Sequence, residues 1–218
     1  MVLLHCPGQP PQYLFWVAAS SNYPLALAIT GASGAPYWLR LLEVTLDAGI
    51  EVHLVCSDNV DTVCRLELGK PLEEVLGEVK WRGTGQLRVF AKGDFMSPMA
   101  SGSAKYRGMA IVPCSLGTLN RIAAGTSDGL IGRAADVMLK ERRKLILLFR
   151  EMPLNLIHLE GMTQLTRAGA VIMPAAPGFY HRPESIDDLV DFVVQRLCDQ
   201  LGVPCELHRR WGGDSEAE

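Results

Sequence analysis

Residues 25–30, Leu-Ala-Leu-Ala-Ile-Thr, form a largely apolar run of strand length. Gly31, Ser33 and Gly34 follow as a tight small-residue turn, and the pattern over 35–48 predicts a helix that Gly49 ends. Strand, turn and helix in this order is how an α/β protein aims backbone N–H groups and a helix N-terminus at a phosphate. Small residues let the backbone approach the anion, and Ser33 falls at the expected N-cap, where its hydroxyl serves the helix or a ligand oxygen. The turn is not a P-loop, because no Lys-Ser/Thr pair follows. It lacks the third glycine of the dinucleotide fingerprint, and Ala35 ends what would otherwise be a G-x-S-x-G elbow. Two readings stay open on local pattern, a phosphate cradle and a plain strand–helix turn.

The remaining chain repeats the unit. Strands are predicted at 50–56, 88–90, 108–113, 145–149 and 170–173, and helices at 58–68, 71–77, 116–124, 130–142, 156–167 and 184–201. This alternation predicts a three-layer, doubly wound α/β fold with a mainly parallel sheet, flavodoxin-like or Rossmann-like. At 218 residues the chain suits one such domain. The expected division is an N-terminal extension 1–23, rich in Pro and Gly, a domain 24–204, and a tail 205–218.

A net charge of −3 leaves no basic footprint, which argues against nucleic acid. Six cysteines without C-x-x-C or zinc spacing point to reduced thiols and a cytoplasmic location. No apolar run has the ~18 residues of a membrane helix. Residues 14–19 are a short apolar stretch with no Lys or Arg before Arg40, which does not suit a signal peptide. The 48% apolar content suggests buried subunit interfaces.

In open parallel sheets ligands sit outside the carboxyl ends of the strands. Four predicted strand ends carry polar groups there: Ser33, Ser57, Ser115 with Thr118, and Arg150 with Glu151. Together they suit a polar ligand bearing a phosphate, which Arg150 would grip through its fork. Taken singly, Ser115 is equally a helix cap and Glu151 equally a salt-bridge partner of Arg150. Lys140 belongs to a charge run, 140–144, expected mostly to be a solvated helix end. Asp187, Asp188 and Asp191 spell D-D-x-x-D, a magnesium-diphosphate pattern elsewhere. Here they open an amphipathic helix, where acidic residues suit the macrodipole, and no second acidic motif faces them. No metal is expected.

Six motifs in order resemble the flavin prenyltransferases of the UbiX type. They are Gly31-Ala-Ser-Gly-Ala35 with Arg40-Leu-Leu42, Cys114-Ser-Leu-Gly-Thr-Leu119, Arg133-Ala-Ala-Asp-Val137 with Leu139-Lys-Glu-Arg-Arg143, Arg150-Glu151, Ile157-His-Leu-Glu160, and Pro174-Ala-Ala-Pro-Gly-Phe-Tyr-His181. The resemblance spans roughly 25–212. It implies a fold that binds reduced FMN and takes dimethylallyl phosphate, joining the prenyl group to flavin N5 and then C6. The implied product is prenylated FMN for UbiD-type decarboxylases, in ubiquinone synthesis or aromatic-acid breakdown. Family members work without metal as dodecamers, with flavin sites between subunits.

By position, the resemblance assigns FMN to Gly31, Ala32, Ser33, Ser57, Ser115, Leu116, Gly117, Thr118 and Arg150. It assigns the substrate phosphate to Lys140, Tyr180 and Arg196, with Arg133 nearby, and proton handling to Glu151. Ser33 and Lys140 join Glu151 as catalytic candidates. Trp211 would flank the dimethylallyl group, where an aromatic face steadies an allyl cation. Monophosphate is a poor leaving group, and a Lys, two Arg and a Tyr hydroxyl could stabilise its developing charge. The chain departs from the family pattern in three places: Trp38 stands for a usual Gly, Gly161 for a common Asn, and the pair Asp58-Asn59 for a more usual basic or small pair.

Two other readings compete. An FMN-dependent decarboxylase of the same fold would carry a catalytic His in the first helix, and this helix has none. A non-enzymatic flavin carrier would not need Lys140, Glu151, Tyr180 and Arg196 together.

Overall fold

The computed structural model describes residues 23–208. Most of the predicted extension and Trp211 lie outside the described residues. In chain order the elements are β1 (Leu25–Ile29), α1 (Ala35–Asp47), β2 (Val52–Cys56), α2 (Val60–Glu67), α3 (Leu72–Glu78), β3 (Leu87–Phe90), β4 (Gly108–Cys114), α4 (Leu116–Ala123), α5 (Leu130–Lys140), β5 (Leu145–Phe149), α6 (Leu156–Arg167), β6 (Val171–Pro174) and α7 (Ile186–Leu201). A short 3₁₀ turn, Pro98–Ala100, interrupts the β3–β4 connection.

The six strands form one sheet in the order β3-β2-β1-β4-β5-β6, and every neighbouring pair is parallel. Without the edge strand β3, the order is that of flavodoxin-like sheets. The order reverses between β1 and β4, so the crevice for a ligand opens there.

Side chains of the central strands alternate between two cores, because successive strand residues face opposite ways. Leu25, Leu27 and Ile29 pack with α1 and α7; Ala26 and Ala28 face the core of Met109, Ile111 and the helices α4 and α5. With helices on both faces, the central strands read as continuous apolar runs rather than as alternations. Trp38, the departure in α1, is 1% exposed and fills the larger core. It is a packed core residue.

Some helix boundaries move by two residues. The predicted helix 130–142 stops at Lys140, and Arg142 takes a left-handed φ of 56°. The last helix starts at Ile186 because Ser185 caps it: its hydroxyl accepts the Asp188 amide, and the Asp188 carboxylate accepts the Ser185 amide. Asp191 instead pairs with Arg40 Nε at 2.7 Å, tying α7 to α1. Two of the three D-D-x-x-D carboxylates thus have structural work. No helix among the described residues is long and apolar enough to cross a membrane.

Candidate functional site

Thr30, buried at the end of β1, joins the two strand ends at the switch point. Its hydroxyl donates to the Pro113 carbonyl at 2.8 Å and accepts the Ser115 amide at 2.8 Å. The turns after β1 and β4 are therefore held as one unit. The Ser57 amide donates to the Ile29 carbonyl at 2.9 Å and brings the end of β2 to the same rim.

The first turn differs from expectation in two ways. The N-cap of α1 is Gly34, at φ 126°, not Ser33. Gly34 takes a backbone region that side chains avoid, and this leaves Ser33 outside the helix. The second difference is the occupant of the helix N-terminus. The Glu67 carboxylate, at the end of α2, accepts the Gly34 amide at 2.9 Å and the Ala35 amide at 2.7 Å, and also bonds the Ser33 side chain. Burial alone would raise the Glu67 pKa; the Ser33 hydroxyl, the two amides and the nearby Arg150 charge outweigh it and lower the pKa. A carboxylate of the chain thus holds the place where an anion was expected. Gly31 is needed for packing as well, since a Cβ there would lie 2.4 Å from the Asn59 Cβ.

The second turn is more open. Ser115 caps α4, accepting the Thr118 amide at 3.3 Å and donating to Thr118 Oγ1 at 3.0 Å. The cap reading is correct, and it leaves the Leu116 and Gly117 amides without partners inside the helix. The Leu116 side chain is 2% exposed in the smaller core, so only its backbone can meet a ligand. Ala32 is likewise buried. Ser57 and Thr118 line one cleft of about 250 Å³ with Lys92, Arg121 and the start of α5.

Arg150 and Glu151 leave β5 at the same rim, and both are exposed. Among the described residues no ion pair joins them; Glu151 Oε1 accepts the Met152 amide at 3.2 Å. Arg150 is instead close enough to act electrostatically on Glu67.

Lys140 and Arg196 lie elsewhere. Lys140 ends α5 beside Gly102, paired with Glu141. Arg143 binds the Gly102 and Ala104 carbonyls, and the Met109 amide donates to the Lys144 carbonyl. This is where β4 and β5 begin, whereas Ser115 and Arg150 stand where those strands end. The two places are separated by about a strand length, roughly 15–20 Å. Arg196 is exposed on α7 and paired with Asp199 at 3.0 Å. The end of α7 is tied to the same lower edge through Lys144 Nζ and the Gln200 carbonyl. Arg133 binds the Ala100 carbonyl and Asp136. Tyr180 is half-exposed after β6, edge-on to Phe192. The chain therefore brings together the residues assigned to the flavin and leaves Lys140 and Arg196 outside that cluster.

The Flavoprotein family profile matches residues 18–198. The flavin prenyltransferase UbiX of Pseudomonas aeruginosa is 49% identical over 195 residues, 86% of this chain and 93% of the relative. The chain belongs to the UbiX-type flavin prenyltransferases. A solved structure of AnUbiX in complex with FMN and dimethylallyl pyrophosphate is 39% identical and superposes with a TM-score of 0.81, over 89% of this chain and all of that one. A dodecameric FMN-dependent UbiX-like decarboxylase from Escherichia coli O157:H7 is 42% identical with a TM-score of 0.79, over 87% of this chain and all of that one.

In this flavin prenyltransferase, three residues of the rim escaped sequence reasoning: Thr30, Glu67 and Arg121. Thr30 reads as the end of an apolar strand, and Arg121 as one more helix charge. Glu67 stands 33 residues from the amide it caps. An anion for the start of α1 was the available signal, but nothing local said that the chain supplies it.

Proposed function

We propose that this flavin prenyltransferase joins the dimethylallyl group of dimethylallyl phosphate to N5 and C6 of reduced FMN, without a metal ion, and that prenylated FMN passes to a UbiD-type decarboxylase. The support is the gathering of Ser33, Ser57, Ser115, Thr118 and Arg150 at one rim, in a chain 49% identical to a named flavin prenyltransferase. When bound, reduced FMN supplies the nucleophilic nitrogen and carbon that accept the prenyl group.

The flavin phosphate suits the second turn, where Ser57 and Thr118 and the first amides of α4 offer neutral donors. Gly31, Ala32 and Ser33 present the first turn to the flavin ring, and Arg150 reaches it from β5. Glu151 holds and moves protons at N5 and C6. Lys140, Arg196, Tyr180 and Arg133 grip the substrate phosphate and stabilise the charge it gains on leaving.

This assignment needs more than one copy. Lys140 of one chain is about a strand length from its own Arg150, and Arg196 is exposed on α7, so a neighbouring copy supplies both. Exposed Leu156, Ile157, Leu159 and Ile186 offer apolar surface to bury between copies. The dodecamer named for the Escherichia coli relative is the assembly we propose here.

The test is an anaerobic incubation with reduced FMN, dimethylallyl phosphate and a chelator, followed by the mass of the released flavin. A gain of one five-carbon prenyl unit supports the reading. Unmodified FMN overturns it and favours the decarboxylase or carrier alternatives, which consumption of an aromatic carboxylic acid then separates.

A further inference from the structure

The cleft beside the second turn holds a residue that the flavin assignment does not use. Arg121 projects from the second turn of α4 back over the first. Its Nη2 donates to Thr118 Oγ1 at 3.1 Å, and a Cβ on Gly117 would meet its Nη1 at 3.7 Å. The guanidinium thus lies over the Gly117–Thr118 backbone, on the side facing the cleft that Ser57 also lines. The guanidinium also faces Asp128, with Nε 3.6 Å from Oδ2, and both groups are about half exposed or more, at 51% and 64%. A pair at that length in water is weak.

The other charges lining the cleft are Lys92 and Asp58, paired with each other. Lys92 is also the residue whose carbonyl accepts the Leu130 amide at 2.7 Å, which fixes the cleft wall to the start of α5. Formal charge in the cleft is balanced, two cations against two carboxylates. An entering dianion gains a fork of N–H donors from Arg121 when the loose Asp128 contact is exchanged.

We propose that Arg121 is a specificity residue that clamps the terminal phosphate of the flavin and makes this chain choose FMN over riboflavin. Asp128 opposes it by holding the guanidinium and repelling the phosphate. The assignment rests on the reading that the chain binds FMN, and it adds the residue that distinguishes the phosphorylated form.

The experiment titrates oxidised FMN and riboflavin separately, by quenching of flavin fluorescence, into the wild-type chain and into Arg121→Ala, Arg121→Gln and Asp128→Asn. Arg121→Ala should weaken FMN about ten- to a hundredfold, the loss of charge-assisted hydrogen bonds, and leave riboflavin unchanged. Asp128→Asn should tighten FMN alone. Wild-type affinity for FMN, but not riboflavin, should fall as salt rises. Equal weakening of both flavins, or no weakening of FMN in either Arg121 variant, overturns the assignment. Arg121→Gln keeps the reach without the charge and carries the test if Arg121→Ala unfolds. If the wild-type chain binds neither flavin, the FMN reading itself falls, a result distinct from loss of selectivity alone.

Discussion

The Glu67 carboxylate lies 2.7 Å from the Ala35 amide and 2.9 Å from the Gly34 amide, closing the start of α1 with a charge from the end of α2. The partial positive charge of the helix and the Ser33 side chain both favour the ionised form. Because the folded pKa is lowered, this stabilisation is present above the ordinary glutamate range, about 4.3. It is lost as pH falls through that range toward the folded value.

Glu67→Gln should therefore cost about 1 kcal/mol at neutral pH, allowing for the exposure of the group. Denaturant titrations at pH 7 and near pH 4 check this: the gap between variant and wild type should narrow at the lower pH. A gap that stays constant would mean that the charge is not what holds the turn.

Thr30→Val keeps the shape of the side chain and removes the hydroxyl shared by Pro113 and Ser115. The Pro113 carbonyl still accepts the Thr30 amide at 3.2 Å, so the main loss is a buried partner for the Ser115 amide. The expected cost is about 1–2 kcal/mol by equilibrium unfolding, and Thr30→Ser should recover most of it.

Lys140→Ala and Glu151→Gln should each abolish most prenyl transfer while FMN still binds. When the two variants are co-expressed and co-assembled, activity should return. If each site draws Lys140 from one copy and Glu151 from another, random mixing leaves about a quarter of the sites intact. If both residues served one site from the same chain, no mixed assembly would recover. Prenylated flavin formed per site, measured by mass, decides between them.

Gly161 and Asn120 compete for one space between α6 and α4. A Cβ at 161 would lie 2.1 Å from Asn120 Oδ1, which is buried without a hydrogen-bond partner. Gly161→Ala should therefore show less than the gain of about 1 kcal/mol that alanine brings to a helix interior. In an Asn120→Ala background most of the gain should appear, with the Leu119 side chain, 3.2 Å from the added Cβ, left to shift slightly. A double-mutant cycle reads the coupling directly, and zero coupling would show that Asn120 swings away freely.

Much of the architecture was legible in the order of the chain. Apolar runs of strand length alternating with amphipathic segments mark a parallel α/β sheet, and parallel strands share one carboxyl edge, so Ser33, Ser57, Ser115 and Arg150 fall on one rim by topology alone. The six motifs carried the family by their residue types and order, although Leu139–Arg143 lies at the opposite edge of the sheet. Local pattern also placed the Ser115 cap, whose partner Thr118 is three residues away.

What needed the tertiary structure is whatever depends on partners far apart in sequence. Burial of Trp38 depends on α7, which arrives 150 residues later, and the strap across the switch point depends on Thr30 meeting residues 113 and 115. Local pattern leaves the start of α1 open between a phosphate cradle and a plain turn, and only folding brings Glu67 to it. Which chemistry the rim residues offer follows from side-chain type and strand-end position alone, both of which are local. Which of those residues can meet was decided in three dimensions: Lys140 sits where β4 and β5 begin and Arg150 where β5 ends, and a rigid sheet does not let one chain close that distance.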